Sequence, residues 1–555
     1  YYYIINIDMT SAIYYSSDGF KVAGNKIMGR QVAGNSFLKA YFKYSNYKEF
    51  WVYSNSKKEA EDFARFAREQ DRSEKIKFIN FQNTGNLNEP GLLFYPGPSI
   101  SLHAKRRSFY NDNSWSLCGI THTTCSERAM ESIQSLVTSP VNPWDALICT
   151  SKAVRSNVIK IIEIEEDNMK TKLKACNFVR PTLPVIPLGI HTSEFKFTQD
   201  QKNLAKKEFE IHQDEIVILY VGRLSFHAKS NPFALYESLG KIAEKSNNKI
   251  VLIECGWYGN EGIKSAFTQA AQSLCQNLRI INVDGSDNNL KLKSFAASDI
   301  FCSLSDNIQE TFGITPIEAM AAGLPVIVSD WDGYKDTVRE GLDGFRIPTL
   351  MPGSGYGIDL AMRYALNIDN YDMYIGNVSN YISVSIVHLS NALEKLINSQ
   401  SLRIKMGKNG LKRATEKYDW SIIIKQYVEL WDDLKDLRIN SSNYNYQWSA
   451  RLDPFSAFES YPSFTITNNT KLRLTEGSVD ITLKKIKKLK ALFIINYSIY
   501  TIPDEAFISK LISKLNNNIM DVNSLSEEFT EINKNYLIRS IAWMNKFNII
   551  TILID

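Results

Sequence analysis

Apolar and polar residues alternate in blocks along most of the chain. Short apolar runs at Tyr3–Ile7, Glu49–Tyr53, Ile76–Phe81, Leu92–Tyr95, Leu117–Thr121 and Ala146–Thr150 read as strands, with helical patterns between most of them. That alternation predicts a parallel sheet covered on both faces. A second series opens at Ile216–Val221 and continues through Ile250–Glu254, Arg279–Val283, Ser298–Leu304 and Leu324–Ser329, so a second parallel sheet is expected. Beyond Leu350 the pattern loosens: Met351–Gly357 is rich in turn formers, and the polar, tyrosine-rich stretch to Tyr381 reads as an insertion. Helical periodicity returns at Leu389–Leu396 and Leu402–Tyr418, and Trp420–Leu434 has the apolar face of a buried closing helix. A polar linker, Asn440–Asn443, leads to three short amphipathic helices, Asp504–Leu515, Val522–Phe529 and Asn535–Phe547, closed by a strand at Ile549–Leu553.

A chain of 555 residues that is 44% hydrophobic can bury several cores, and three domains are expected, at 1–187, 188–437 and 438–555. The net charge of +4 is nearly balanced, which argues against a general nucleic-acid binder. Seven cysteines, scattered and without a Cys-x-x-Cys pair, read as reduced core thiols of a cytoplasmic protein. No apolar run reaches the length of a membrane span; the best candidate, Leu489–Ile502, is broken by Asn496 and Ser498. There is no signal-peptide pattern, and a chain that begins at Tyr1 suggests a start truncated by a residue or more.

Chemistry concentrates at Glu310–Gly323, between two of the predicted strands. Gly313 frees the backbone at a turn, Pro316 suits a first helical turn, Ala319–Ala322 favour helix and Gly323 is placed to end it. The loop Thr311-Phe312-Gly313 then faces the unpaired amides of a helix N-terminus, a seat for a diphosphate. In a continuous helix Glu310 and Glu318 would stand roughly 12 Å apart, too far for a glycosidase carboxylate pair and better suited to the two ends of one extended ligand. A sugar nucleotide has that form. The other reading is an ordinary crossover with two surface glutamates.

From Glu310 through Pro348 the chain resembles the signature of retaining GT-B glycosyltransferases of family 4: two glutamates seven residues apart, then Ala-Ala-Gly-Leu-Pro-Val-Ile and Gly-Leu-Asp-Gly-Phe. The resemblance implies two Rossmann-like domains facing a cleft that holds a nucleotide-sugar donor. It implies that Glu310 meets the sugar hydroxyls, Glu318 the ribose, and the amides of Phe312 and Gly313 the phosphates. Arg223 and Lys229, six residues apart just past a strand, suit a diphosphate as a fork and a point charge, and the resemblance places them there. His122, at the end of a strand, is structural or, by the resemblance, faces the donor sugar. The glycine-rich helix start Met28–Gly34 is a turn or a second anion seat, with Gly29 and Arg30 as candidates. Val185–His191 resembles the interdomain segment of the family, with Leu188 and His191 in place of polar residues.

Asp330-Trp331-Asp332 matches the Asp-x-Asp metal signature of a different glycosyltransferase fold, but its place after the glutamate-bearing helix argues for a loop, and no metal or cofactor is expected. The order of elements in the tail resembles a winged-helix module. Its run Lys484–Lys490 is a solvated face or a contact for nucleic acid or an anionic membrane. Balanced charge favours a protein-interaction or acceptor-docking role over nucleic acid. The expected function is a retaining, metal-independent sugar transfer to a saccharide, lipid or protein acceptor, with peripheral membrane contact. The rivals are a different GT-B chemistry, such as a phosphorylase or epimerase, and a nucleotide-sugar-sensing regulator.

Overall fold

The computed structural model describes residues 10–20, 29–246, 248–442, 446–476 and 478–553. The chain divides into two compact units, Tyr1–Gln447 and Trp448–Asp555.

The first unit contains two six-stranded sheets. Strands β1 (Ala12–Tyr14), β2 (Glu49–Ser54), β3 (Lys75–Asn80), β4 (Leu92–Tyr95), β5 (Ser116–Ile120) and β6 (Ala146–Ile148) form one sheet in the order β3-β2-β1-β4-β5-β6. All its neighbours run parallel. The expected strand Tyr3–Ile7 lies outside the described residues. Strands β7 (Ile216–Val221), β8 (Ile250–Gly256), β9 (Arg279–Asp284), β10 (Ile300–Ser303), β11 (Val326–Ser329) and β12 (Gly344–Ile347) form the second, again parallel, in the order β12-β11-β10-β7-β8-β9. Every residue of β8, β10 and β11 is buried, which is why these strands read as continuous apolar runs rather than alternating ones. The edge strand β12 carries a mixed Gly-Phe-Arg-Ile sequence and no such run. Gly344 is required there, since a Cβ would stand 1.8 Å from the Val326 carbonyl oxygen.

Both sheets have the doubly wound order, so each has a switch point where the chain reverses direction across the sheet: between β1 and β4, and between β7 and β10. Two Rossmann-like domains are therefore present, as expected of the GT-B fold.

The closing helix Trp420–Ile439 returns to the first sheet. Trp420 Nε1 donates to Ser36 Oγ at 2.7 Å, the Phe37 and Tyr427 rings lie 5.4 Å apart, and Arg438 donates to the carbonyls of Asn113 and Ser114 at 3.1 Å. The expected insertion is ordered as helices Ile358–Ala365 and Tyr371–Ser379, closed by antiparallel strands β13 (Thr349–Leu350) and β14 (Ser383–Val384).

In the second unit the three expected helices form at Glu505–Lys514, Val522–Glu528 and Lys534–Lys546, preceded by Val479–Lys490. Ile508, Leu511, Leu525, Ile541 and Met544 are buried at its centre. The closing strand β17 (Ile550–Leu553) pairs antiparallel with β15 (Lys471–Leu474), which also pairs with β16 (Met520–Asp521). Among the described residues no helix is long and apolar enough to cross a membrane.

Candidate functional site

Ligands of doubly wound sheets gather outside the carboxyl ends of the strands at the switch point. In the second sheet those ends belong to β7, which runs into Gly222-Arg223 and on to Lys229, and to β10, which runs into Gln309–Gly313. The two loops meet. Arg223 Nη2 donates to Gln309 Oε1 and to the Ala228 carbonyl, each at 2.8 Å. The Lys229 ammonium is ion-paired with Glu310, and the Thr311 amide donates to Glu310 Oε1 at 3.3 Å. Burial alone would raise the Glu310 carboxyl; the Lys229 charge and the amides of Thr311 and Phe312 outweigh it and hold it below the usual carboxylate range. Glu310 is an anion at neutral pH.

The backbone of this loop is fixed from behind. Gly313 has φ +79°, and a Cβ there would stand 1.9 Å from the Tyr334 ring, so the left-handed turn and the close approach both demand glycine. The helix that follows, Ile314–Ala321, is buried along most of its length and ends before Gly323, at φ +77°. The Phe312 side chain is buried, its ring edge-on to Tyr418. Glu318 is buried in this helix. One carboxylate oxygen accepts from Lys291 Nζ at 2.7 Å, and the other is buried without a hydrogen-bond partner. A buried carboxylate oxygen with no partner is costly unless a ligand supplies a donor.

The first domain contributes the loop after β5, which carries half-buried His122 and buried Cys125. Cys125 Sγ lies 3.4 Å from the Tyr371 hydroxyl, and Gln309 Nε2 donates to that same hydroxyl at 2.8 Å. Tyr371 belongs to the insertion, whose Tyr364 hydroxyl also accepts from the Glu127 amide at 3.0 Å. One tyrosine thus ties the first-domain loop to the residue that orients Arg223. Gly29 opens the helix Gly29–Tyr44, while the Arg30 side chain lies outside the described residues, as do residues 21–28.

Asp330 and Asp332 go to different partners. Asp330 pairs with Arg346 at 3.5 Å, whereas Asp332 accepts from the Ser151 hydroxyl at 3.1 Å across the domain boundary. Among the described residues no three His, Cys, Asp or Glu side chains are grouped to hold a metal ion. Asp332 sits at φ +41°, uncommon for a residue with a side chain, and its second oxygen is buried without a partner. Burial first and the Glu310 charge second push its carboxyl up to about 8. The folded protein therefore holds a proton that the unfolded chain has lost above the ordinary value of 3.8, and stability falls as pH rises from there to about 8. Asparagine keeps an acceptor for Ser151 and does not titrate. Asp332→Asn should raise the melting temperature more at pH 8 than at pH 4, by several degrees at the higher pH; melting curves across that range check it, and an equal shift at both ends would show Asp332 ionised in the native state.

Of the residues singled out in the sequence, the structure brings Glu310, Thr311, Phe312, Gly313, Arg223 and Lys229 together in two meeting loops and sets Glu318 in the helix Ile314–Ala321 that follows; Glu310 is not part of that helix. Gln309, Tyr371 and Lys291 escaped sequence reasoning, and Asp332 was read only as part of the Asp-x-Asp pattern. Gln309 flanks the Glu310–Gly323 pattern, and the tyrosine-rich insertion held the signal for Tyr371. Lys291 had none, being one lysine on a helix that also carries Lys293.

Residues 201–350, which contain this entire second-sheet cluster, match the family model described as Glycosyl transferases group 1. The fold is the two-domain GT-B architecture, and its second domain carries the match to the group 1 model. Among similar proteins, an uncharacterised glycosyltransferase of Methanocaldococcus jannaschii is 25% identical over 237 residues, covering 41% of this chain and 55% of that protein. The phosphatidyl-myo-inositol mannosyltransferase of Mycobacterium leprae is 24% identical over 217 residues, 39% of this chain and 46% of the relative. The chain thus spans about half the length of the curated relatives it matches. Anabaena HepE, crystallised with UDP, shares the fold with a TM-score of 0.50 at 15% identity, over 77% of this chain and all of that one. A glycosyltransferase from Rickettsia africae does so with a TM-score of 0.50 at 13% identity, over 78% and 100%.

Proposed function

We propose that this chain transfers a sugar from a nucleotide-diphosphate donor to an acceptor hydroxyl, as a retaining, family 4 type enzyme that needs no metal. The observation that carries the reading is the meeting of Arg223 and Lys229 with Gln309-Glu310 at the switch point of the second sheet. In transfer, the bond from the anomeric carbon to the diphosphate oxygen breaks and the nucleotide diphosphate leaves with the electron pair. Arg223 and Lys229 are the fixed cations for that growing charge, a preorganised arrangement that costs no reorganisation as the bond breaks. Glu310, kept anionic, accepts hydrogen bonds from sugar hydroxyls and faces the positive charge developing on the ring. The unpartnered oxygen of Glu318 suits a ribose hydroxyl. The acceptor oxygen joins the anomeric carbon on the face the leaving group quits, and its proton passes to the departing phosphate. His122, Gly29 and Arg30 belong to the first-domain side of the same cleft in this reading.

Seven free cysteines, six of them buried, suit a reducing cytoplasm. The acceptor is a saccharide, lipid or protein, and peripheral membrane contact is part of the proposal.

A thermal-shift screen of UDP-, GDP- and ADP-sugars tests the donor assignment. One class should raise the melting temperature in a concentration-dependent way, because a ligand that binds only the folded state stabilises it. No shift with any of them would remove the basis for donor binding. Excess chelator should leave the transfer rate unchanged, since the cations that offset the leaving charge are side chains. Loss of activity restored by Mg²⁺ or Mn²⁺ would overturn the metal-free route.

A further inference from the structure

The second unit carries a surface that the proposed chemistry does not use. Its helix Val479–Lys490 has lysines at 484, 485, 487, 488 and 490 against one acid, Asp480. Thr482 and Ile486 face the core, leaving Lys484, Lys487 and Lys488 exposed. The helix runs straight into a loop whose neck is closed where Lys490 Nζ donates to the Pro503 carbonyl at 3.2 Å and Asn496 Nδ2 to the Lys490 carbonyl at 2.9 Å. That loop projects large apolar side chains into solvent. Phe493 is 79% exposed, Ile494 78%, Tyr497 69%, Ile499 81% and Tyr500 fully so, while Ile495 alone is turned inward.

We infer that this basic helix and the apolar loop beside it form a docking surface for an anionic lipid bilayer. Exposed apolar side chains of this size, gathered within eight residues, mark an interaction site rather than ordinary surface. The lysines narrow the partner. A second copy of the chain, meeting this face through a two-fold axis, would set one lysine-rich helix against another. A nucleic acid would meet the lysines but leave the isoleucines and Phe493 without an apolar partner. A bilayer surface with anionic headgroups meets both: the apolar side chains enter the boundary between headgroups and acyl chains, tyrosine hydroxyls stay at headgroup level, and the lysine stems extend their ammonium groups to the lipid phosphates. The negative potential of such a surface attracts lysines that lie within a Debye length. The inference deepens the membrane contact named in the proposed function and does not rest on the transfer chemistry.

Co-sedimentation of the full chain with vesicles of phosphatidylcholine alone, and of phosphatidylcholine mixed with phosphatidylglycerol, tests it. Binding is expected only to the mixed vesicles and should weaken as salt is added. It should fall by about tenfold or more in Lys484→Glu/Lys488→Glu and again in Phe493→Ser/Tyr500→Ser. All four side chains are exposed, and an unchanged melting temperature shows that each variant is folded. Equal binding to both vesicle types, no binding to either, or wild-type binding by both variants would overturn the inference. So would a concentration-dependent dimer of the wild-type chain that the Phe493→Ser/Tyr500→Ser variant abolishes, since the loop would then be a self-association face.

Discussion

Replacing Lys229 by alanine should lower kcat/KM by about a hundredfold to a thousandfold, the range seen when one preorganised group that stabilises a developing charge is removed. Two losses combine in this variant. The departing diphosphate loses a cation, and Glu310 loses the charge that keeps it ionised in a buried position. Of the influences on Glu310, burial is the largest and raises its pKa; Lys229 is the main opposition to it, and only the loop amides remain when it is gone. The direction of the Glu310 shift should therefore reverse. In the wild type its pKa is depressed, so the stability it contributes is present above its ordinary value of 4.5 and lost only as pH falls through the folded value. In Lys229→Ala the carboxyl should titrate nearer neutrality, and the residual activity should rise with pH where that of the wild type is flat. Glu310→Gln should also lower kcat, yet leave the remaining rate independent of pH across that window. Pre-steady-state or initial-rate measurements on the three proteins from acid to mildly alkaline pH decide it. Full activity in Lys229→Ala, or a pH profile that matches the wild type, would sink the assignment of this pair.

The largest effect on folding should come from a residue far from the chemistry. Arg107 and Asp145 are both fully buried in the first domain and face each other as a fork, Nη1 to Oδ1 at 2.6 Å and Nη2 to Oδ2 at 2.8 Å. The pair is also a backbone clamp. Arg107 donates to the carbonyls of Trp115 and Pro140, and Asp145 accepts from the amides of Leu117 and Asn142, so it fixes where β5 starts and how the chain enters β6. Arg107→Ala removes the fork and leaves a buried anion with two amide donors, which should cost about 3–5 kcal/mol. Apolar replacement of both partners often restores stability at a buried ion pair. Here Arg107→Met/Asp145→Leu should restore little, because the Trp115 carbonyl and the amides of Leu117 and Asn142 would remain without partners, while the Pro140 carbonyl keeps the Asn142 side-chain amide. Denaturant titrations of the single and double variants measure this directly; a double variant as stable as the wild type would mean that water reaches those backbone groups.

How much of this was legible beforehand follows from how local each feature is. The strands of the second sheet declared themselves because burial on both faces requires unbroken apolar runs, as in Ile216–Val221 and Ile250–Gly256. The loop at Glu310–Gly313 and the Arg223 and Lys229 spacing were legible for a similar reason, since a tight turn and a pair of cations leave short-range marks. Pairings between distant segments left none. Asp145 immediately precedes the apolar run Ala146–Thr150, and nothing near it in the chain points to Arg107. Strand β15 alternates as Lys-Leu-Arg-Leu, but its partner β17 lies at the far end of the unit, and neither sequence names the other. The Lys291–Glu318 contact and the Tyr371 bridge are of the same kind, created only when separate elements are packed together. The Asp330-Trp331-Asp332 pattern shows the same limit, since two carboxylates one residue apart in the chain are sent by the fold to separate partners, Arg346 and Ser151.

The return of the helix Trp420–Ile439 to the first sheet bears on how such proteins exchange parts. Gly189, at the crossing between the domains, lies so close to the Trp420 indole that a Cβ would stand 2.4 Å from it, and Trp420 donates to Ser36 on the far side. The last segment of the second domain is thus a structural component of the first, and the natural seam between interchangeable halves does not fall at one point in the chain. A chimaera that takes its donor half from a relative would have to keep residues 420–439 with the first half, or replace the facing surface around Ser36 and Phe37 along with it. Recombination at residue 188 alone would pair a foreign helix with this wall of aromatic rings and yield a misassembled first domain.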